Sequence, residues 1–170
     1  MGNSPTSWPA YAKVPLDHSR QTLLMFLHPQ CPCSRASVEE LNRLLAQAHG
    51  QIAAHVFFFR PGNFDDDWAK TDLWRSAAAI PGVDVMEDRD GWQAKLFGAE
   101  TSGYVLLYDR HEKLLFKGGI TGSRGHSGDN AGESTVLALA NGQICSLKQS
   151  AVYGCALLDH CDTTKEGAWR

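Results

Sequence analysis

Two cysteines separated by a single proline lie between an apolar segment and a segment with helical periodicity. They are Cys31 and Cys33, in the sequence FLHPQCPCSRASVEEL that covers residues 26–41. Cysteine reacts as the thiolate, and a thiolate is stabilised at a helix N-terminus, where backbone N–H groups have no partner. This placement favours a reactive pair over two inert core cysteines. We expect Cys31 to be the more exposed, attacking thiol and Cys33 to be the thiol that resolves the resulting mixed disulfide.

The sequence allows two starting points for the helix that follows the cysteines. Pro32 suits the first helical position, because its missing N–H would have had no partner there. Ser37 and Glu40 instead form a capping-box pattern, which would start the regular helix one turn later and leave both cysteines in a preceding loop. The two alternatives differ in how strongly the helix dipole would act on the thiols.

Strands and helices alternate along the chain. Apolar runs at 22–27, 51–61 and 83–87 predict strands, and 103–109 with 113–120 predict a hairpin. Helices are predicted from position 38 to Gly50 and at 65–80, 90–98 and 132–148. The order βαβαβαββα predicts an α/β fold, a three-layer sandwich with a mixed central sheet and helices on both faces. We expect residues 1–21 to be an extended lead-in, 22–148 the domain and 149–170 a tail.

Composition narrows the classes of function. The 170 residues are 43% hydrophobic and 21% charged, which is enough for one compact domain with a full core. The net charge is −3 and Lys and Arg are not clustered, which argues against a nucleic-acid surface. The longest apolar run is the length of one strand, far short of the ~20 residues that span a bilayer.

This order of elements, with a reactive motif between the first strand and the first helix, resembles the thioredoxin-like superfamily over residues 22–148. The segment VDVMEDRDGWQAKLFGAETSGYVLLYD, residues 83–109, resembles the membrane-anchored thiol oxidoreductases of the TlpA and ResA type. The segments HPQCPCSRAS, FGAETSG and GGITGSRGHSGDNAG are similar to those of the small bacterial group of RedB proteins.

The resemblance implies a thiol-disulfide oxidoreductase that uses Cys31 and Cys33 to reduce, oxidise or isomerise protein disulfides. Its partners would be protein thiols or disulfides and a redox partner protein. It also implies a periplasmic or other extracytoplasmic location, where disulfides persist. We expect the natural chain to carry a membrane anchor upstream of Met1.

Two positions depart from the superfamily pattern. The cysteines have the spacing C-x-C instead of C-x-x-C, so a disulfide between them would close a smaller, strained ring that is easier to reduce. We therefore expect a redox-active disulfide more oxidising than that of thioredoxin. Ser102 stands after Thr101, where the superfamily has a cis-proline beside the thiols. We predict a trans peptide bond before Ser102 and more open space next to the cysteines.

Metal binding is the alternative that uses the same residues. Cys31 and Cys33, with His28 as a third ligand, would form a soft site suited to Cu(I) or Zn(II). The redox interpretation needs no cofactor.

A glycine-rich loop at 118–132 is expected on the edge of the fold that carries the cysteines. Arg124 and His126 could then stabilise a thiolate or hold an anionic group, and Asp129 or Asn130 could cap the last helix. The alternative is a solvated polar loop.

The remaining cysteines are separate from the C-x-C pair in sequence. Cys145 is expected in the core, within the last helix. Cys155 and Cys161 lie with His160 in the tail, and they could bond to each other, or Cys155 could fold back toward the C-x-C pair as a third thiol.

Overall fold

The computed structural model describes residues 2–158, in which five strands form one sheet flanked by four helices. In chain order they are β1 (Gln21–Leu27), α1 (Ser34–Gln47), β2 (Ile52–Arg60), α2 (Asp72–Ala78), β3 (Val83–Arg89), α3 (Trp92–Phe97), β4 (Tyr104–Tyr108), β5 (Leu114–Gly118) and α4 (Ala131–Ala140). The predicted order βαβαβαββα is confirmed. No helix within these residues is long and apolar enough to cross a membrane.

The sheet is mixed, with the strand order β3-β2-β1-β4-β5. β1 and β2 are parallel, as are β2 and β3, whereas β4 runs antiparallel to both β1 and β5. β1 is therefore the central strand, and six of its seven residues are buried. A continuous apolar run is expected for a strand that is covered on both faces.

Alternate side chains of β1 enter two separate cores. Leu23 and Met25 pack with side chains of α1, α2 and α4 on one face of the sheet. Leu24 and Phe26 pack with α3 on the other face, together with Val14 and other residues that precede β1. Helices thus cover both faces, which confirms the predicted three-layer sandwich.

The segment before β1 holds no helix or strand, and it lies across the α3 face. Trp8 packs edge-on against Phe97 and Tyr108, with ring centroids 5.5 and 5.1 Å apart. Val14 and Leu16 are buried in the same cluster. This lead-in therefore contributes apolar area to the second core.

Helix α1 begins at Ser34, with Cys33 as its N-cap residue. The capping-box alternative is wrong, because Ser37 and Glu40 both lie inside the helix and are buried. Pro32 is not in the first helical turn either, since it precedes the N-cap residue. The cysteines therefore lie in the turn that leads into the helix.

Two other helices are shorter than predicted. Residues 65–70 form turns with hydrogen bonds from Trp68 N to Asp65 O and from Lys70 N to Asp67 O, so α2 begins only at Asp72. α4 ends at Ala140 because Gly142 takes a left-handed φ of 78°, which closes the helix. Cys145 is consequently outside the last helix, although it still packs against the core.

Candidate active site

The two cysteines lie in a tight turn between β1 and α1, which we call the CPC turn (residues 28–34). The backbone N–H of Cys31 donates to His28 O at 3.1 Å, and Ser34 N–H donates to Cys31 O at 3.1 Å. Cys33 has helical backbone angles, with φ −70° and ψ −21°. The turn is thus held by backbone hydrogen bonds on both sides of Cys31.

The relative exposure of the two thiols differs from the prediction. Cys31 is 3% exposed and Cys33 is 9% exposed, so Cys31 is not the more exposed thiol. Pro32 between them is exposed. Cys31 is covered because residues 154–157 fold back over it.

Residues 154–157, which we call the tail segment, lie beside the residues that precede β4. Ser102 N–H donates to Cys155 O at 2.9 Å, and Leu157 N–H donates to Glu100 O at 2.9 Å. Thr101 and Ala156 form an antiparallel bridge between these two bonds. The backbone N–H of Cys155 points to the sulfur of Cys31, 3.4 Å away. Of the two predicted tail arrangements, Cys155 takes the one next to the CPC turn, whereas His160 and Cys161 lie outside the described residues.

The tail reaches this position along the edge of the sheet. Lys117 N–H donates to Lys148 O at 3.1 Å, Ser150 N–H donates to Lys117 O at 3.2 Å, and Gly119 N–H donates to Ala151 O at 3.2 Å. At Gly154 the backbone passes so close to Ser102 that an added Cβ would collide with the Ser102 carbonyl oxygen. Glycine is therefore required there.

The sulfur of Cys31 is surrounded by hydrogen-bond donors. Burial by itself raises the pKa of Cys31. The Cys155 thiol, the Ser34 hydroxyl and the backbone N–H groups of Cys155 and Cys33 outweigh that effect and lower the pKa to about 7. Cys31 is therefore the thiol that this site prepares as a thiolate near neutral pH.

Cys155 has the opposite shift. The hydrogen bond that its thiol donates to Cys31 raises its pKa, and burial and the charges of Cys31 and Cys33 add to this, so that the pKa is about 11. The charge of Arg124 acts in the other direction. The pair is therefore a thiolate on Cys31 and a protonated donor on Cys155. The cysteines within the described residues are free thiols.

Ser102 joins the CPC turn to the segment that precedes β4. Its hydroxyl accepts from His28 N–H at 2.8 Å and lies 2.6 Å from the Ser34 hydroxyl. The peptide bond before Ser102 is trans, as predicted. The predicted open space next to Ser102 is wrong, because Ser102 is only 1% exposed and its side chain is packed against Ser34.

His28 is buried, and aromatic rings flank it. Its ring lies 5.7 Å from the rings of Phe59 and Trp68, and its Nδ1 accepts from Gln30 N–H at 3.2 Å. Within residues 2–158, no group of three or more His, Cys, Asp or Glu side chains is arranged to hold a metal ion. Metal binding by Cys31 and Cys33 with His28 therefore stays a prediction.

The glycine-rich loop brings one of its two predicted residues to the site. Arg124 donates to Gly154 O at 3.1 Å, which ties the loop to the tail segment. His126 is exposed, and its backbone N–H donates to Ser123 O within the loop. Asn130 is the N-cap residue of α4, and its side-chain oxygen accepts from Glu133 N–H, which confirms one of the two capping predictions.

A cavity of about 240 Å³ opens beside Cys31, and no residue of the tail segment lines it. It lies between the CPC turn and the first residues of α2, with Gln30, Arg35, Thr71 and Leu73 among its walls. The cavity gives a small group direct access to the neighbourhood of Cys31.

Sequence reasoning missed two residues that contact the reactive thiol or position the tail. Ser34 donates to Cys31, and its position directly after the C-x-C pair was the available signal. Gly154 allows the close approach of the tail, and only its position before Cys155 pointed to it. The roles of the predicted site residues themselves stay predictions.

No family model matches this chain, and no curated protein matches it in sequence. Three solved structures illustrate what the fold is similar to. A conserved protein from Geobacillus kaustophilus has a TM-score of 0.65 at 18% identity, over 81% of this chain and 76% of that one. A hypothetical protein from Sinorhizobium meliloti has a TM-score of 0.63 at 20% identity, over 83% and 80%.

The third structure is the pneumococcal exposed lipoprotein thioredoxin from Streptococcus pneumoniae. Its TM-score is 0.51 at 15% identity, over 72% of this chain and 84% of that one. At such identities the likeness concerns the fold alone. This chain has a thioredoxin-like fold, as the resemblance in sequence implied.

Proposed function

We propose that this chain is a thiol-disulfide oxidoreductase in which Cys31 is the attacking thiolate. The observation that carries the proposal is the surroundings of the Cys31 sulfur, where two side-chain donors and two backbone N–H groups lower the pKa to about 7. A thiol whose pKa is near the ambient pH combines a large thiolate fraction with good nucleophilicity. The thioredoxin-like fold and the position of the motif between a strand and a helix also support it.

The exchange needs a second thiol. Cys31 would attack a substrate disulfide to form a mixed disulfide, and a second cysteine would then displace the remaining substrate sulfur. The sequence predicts Cys33 for this step. Protein disulfides or thiols would be the substrates, and a redox partner protein would restore the starting state.

The direct test compares Cys31→Ser and Cys33→Ser with the unchanged chain in the reduction of a protein disulfide by a dithiol. We expect Cys31→Ser to abolish the activity. The matched control is Cys145→Ser, because Cys145 is partly buried against the core and outside the CPC turn. Activity equal to that of the unchanged chain in Cys31→Ser would end the proposal.

Copper or zinc binding by His28, Cys31 and Cys33 is the alternative proposal. It has less support, because the described residues offer no three-ligand arrangement. Elemental analysis of protein purified without chelator tests it. A stoichiometric metal that is lost in Cys31→Ser would favour it over the redox proposal.

We further propose that the protein works outside the cytoplasmic membrane, and that it belongs with the RedB proteins. The location is supported by the similarity in fold to an exposed lipoprotein and by the chemistry of a disulfide-forming site. The membership is supported by the similarity of the segments HPQCPCSRAS, FGAETSG and GGITGSRGHSGDNAG. Fractionation of cells that express the full-length gene tests the location.

A further inference from the structure

The tail segment brings a third thiol to the Cys31 sulfur by contacts that do not involve Cys33. Resting on the proposed function, we propose that Cys155, and not Cys33, resolves mixed disulfides formed on Cys31. In this proposal the tail segment is a docked strand that delivers the resolving thiol. The contacts of the tail segment with Cys31 and with residues 100–102 support this proposal.

Cys155 is fixed next to Cys31 by its backbone. Its carbonyl accepts from Ser102 N–H at 2.9 Å, and its own N–H points to the Cys31 sulfur at 3.4 Å. The next antiparallel bond, from Leu157 N–H to Glu100 O at 2.9 Å, sets the register of the segment. The Cys155 side chain is therefore held beside the sulfur that it would attack.

Cys33 is less well placed for a bond to Cys31. The hydrogen bond from Ser34 N–H to Cys31 O closes a helical type of turn, and Cys33 has helical backbone angles. Side chains two residues apart in a helical turn point to different sides of the helix axis. A Cys31–Cys33 disulfide would therefore require this turn to open.

The strand order places the cavity and the tail segment on opposite sides of β1, the strand that leads into the CPC turn. The cavity is bounded by Thr71 and Leu73, which follow β2, on one side of β1. The tail segment pairs with residues 100–102, which precede β4, on the other side of β1. In displacement at sulfur the attacking and leaving sulfurs lie on opposite sides of the sulfur between them. A substrate sulfur that reaches Cys31 through the cavity would come from the other side of β1 from Cys155, which is the arrangement that this displacement needs.

The proposed reaction consists of two thiol–disulfide exchange steps, in which atoms and electrons balance. The Cys31 thiolate attacks a disulfide R–S–S–R′, the Cys31–S–S–R bond forms, and R′S⁻ leaves with the bonding pair. The Cys155 thiol gives its proton to water, and its thiolate attacks the Cys31 sulfur, so that the Cys31–Cys155 disulfide forms and RS⁻ leaves. The substrate gains two electrons and the cysteine pair loses two. An external dithiol then reduces the Cys31–Cys155 disulfide and becomes a disulfide itself.

The electrostatic interaction between Cys31 and Cys155 favours attack by Cys31 first and by Cys155 second. The largest cause of the raised pKa of Cys155 is the hydrogen bond to the Cys31 sulfur, and the charge of Cys31 is a further cause. Both causes disappear once Cys31 carries a neutral mixed disulfide. Burial and the charge of Cys33, which raise the pKa of Cys155, remain, as does the charge of Arg124, which lowers it. The Cys155 thiol thus loses its proton more easily once Cys31 carries the mixed disulfide, which is when Cys155 has to attack.

The test is a single turnover with one equivalent of dithiobis(nitrobenzoate), an aromatic disulfide, on the full reduced chain. The unchanged chain releases two equivalents of thionitrobenzoate, and peptide mapping by mass spectrometry finds a Cys31–Cys155 disulfide. Cys155→Ser keeps a hydroxyl donor but has no sulfur. We expect it to retain thionitrobenzoate on Cys31, with the second release slowed about tenfold or more by the loss of an intramolecular nucleophile.

Three further variants are measured in the same single-turnover assay as Cys155→Ser. Cys145→Ser, whose thiol lies outside the CPC turn, is the control and releases both equivalents like the unchanged chain. Cys33→Ser tests the rival resolving thiol, and in this variant the second release still occurs and the Cys31–Cys155 disulfide still forms. Gly154→Ala keeps every cysteine, but its Cβ collides with the Ser102 carbonyl oxygen, and we expect the second release to slow because the tail no longer docks. This variant separates the position of the thiol from its mere presence.

The outcomes distinguish the two proposals. If Cys33→Ser retains the label and Cys155→Ser does not, Cys33 is the resolving thiol, and only the present inference is overturned. A disulfide from Cys31 to Cys161 would overturn it as well. If Cys31 is never labelled in any variant, the proposed function itself fails.

Discussion

The backbone N–H of Cys155 lies 3.4 Å from the sulfur of Cys31, across 124 positions of sequence. The low pKa of Cys31 is therefore due to Cys155 and neighbouring donors more than to the N-terminus of α1. From the sequence we expected the N-terminus of α1 to stabilise the Cys31 thiolate. The helix begins at Ser34, however, so Cys31 lies before it. The Cys155 thiol is the largest of the causes that lower the pKa, ahead of the Ser34 hydroxyl and the backbone groups. The tail segment therefore lowers the pKa of the Cys31 thiol that it covers.

Removal of the Cys155 thiol is expected to raise the pKa of Cys31. In the unchanged chain, the alkylation rate of Cys31 should rise with pH through a midpoint near 7. Cys155→Ala removes the strongest donor and moves the midpoint upward, so that the thiolate fraction at neutral pH falls severalfold. Iodoacetamide labelling followed by mass spectrometry measures this, and Cys145→Ala is the control. An unchanged midpoint in Cys155→Ala would contradict the assignment.

Ser102 is expected to respond differently to alanine and to proline. Ser102→Ala keeps the N–H that donates to Cys155 O but leaves His28 N–H, a buried donor, without its acceptor. We expect a loss of about 1–3 kcal/mol in the free energy of unfolding, with the tail still docked. Ser102→Pro also lacks the N–H, so it should release the tail.

Limited proteolysis and urea denaturation separate these two effects. In Ser102→Pro, cleavage between residues 150 and 158 should become faster than in Ser102→Ala. Equal cleavage rates in the two variants would mean that the Ser102 N–H does not hold the tail.

The strands and their order along the chain followed from the sequence, most clearly for β1, β2 and β4, whose apolar residues are all buried. β1 was predicted at 22–27 and lies at Gln21–Leu27, since both of its faces are covered and no polar side chain interrupts the pattern. Helix ends were less predictable. α4 ends eight residues early because Gly142 takes a left-handed conformation, and the apolar Ile144, which suggested a longer helix, is 99% exposed.

Residue types and spacing alone predicted the candidate site only where its residues are neighbours in sequence, whereas the resemblance to the thioredoxin-like superfamily was needed to place Ser102 and Arg124 near the thiols. Cys31 and Cys33 stand out through their spacing and their place between strand and helix. The position of Cys155 depends on backbone bonds to Glu100 and Ser102, which carry no signature of side-chain type. A periodic pattern cannot indicate such pairing, because it is made by backbone groups that every residue other than proline has.

Asn130 is expected to stabilise both α4 and the glycine-rich loop. Its side-chain oxygen accepts from Glu133 N–H at 2.9 Å, and its side-chain nitrogen donates to Ile120 O at 2.8 Å and to Gly128 O at 3.0 Å. Asn130→Ala loses the cap, which costs about 1–2 kcal/mol in the free energy of unfolding. Asn130→Asp should recover the capping part but not the two donated bonds. Thermal unfolding checks both, and an Asn130→Ala variant as stable as the unchanged chain would contradict the prediction.

Two buried carboxyl groups on neighbouring helices are expected to make stability depend on pH. Glu40 in α1 is 0% exposed and Glu133 in α4 is 6% exposed. Burial raises the pKa of Glu133, and the hydrogen bond and the charge of Glu40 raise it further, to about 7, although Arg43 opposes this. In the unfolded chain the pKa of a glutamate is about 4.3.

The sign follows from proton binding. Between about pH 4.3 and about pH 7 the folded chain binds more protons at Glu133 than the unfolded chain does, so stability falls as pH rises across this interval. The stabilising contribution is fully present below the unfolded pKa and is lost as pH passes the folded pKa. The full shift would correspond to about 3.7 kcal/mol at about 1.36 kcal/mol per pKa unit, and screening by solvent reduces it. We therefore expect this group to account for a decrease of about 2 kcal/mol, measured by urea denaturation at a series of pH values.

Glu133→Gln keeps a neutral hydrogen-bonding side chain next to Glu40, and it should remove most of this pH dependence while leaving the chain folded. Glu39→Gln is the matched control, because Glu39 is an exposed glutamate of α1. It should leave the slope of stability against pH unchanged. If Glu133→Gln and the unchanged chain lose stability equally as pH rises to about 7, Glu133 is not the group that binds the proton.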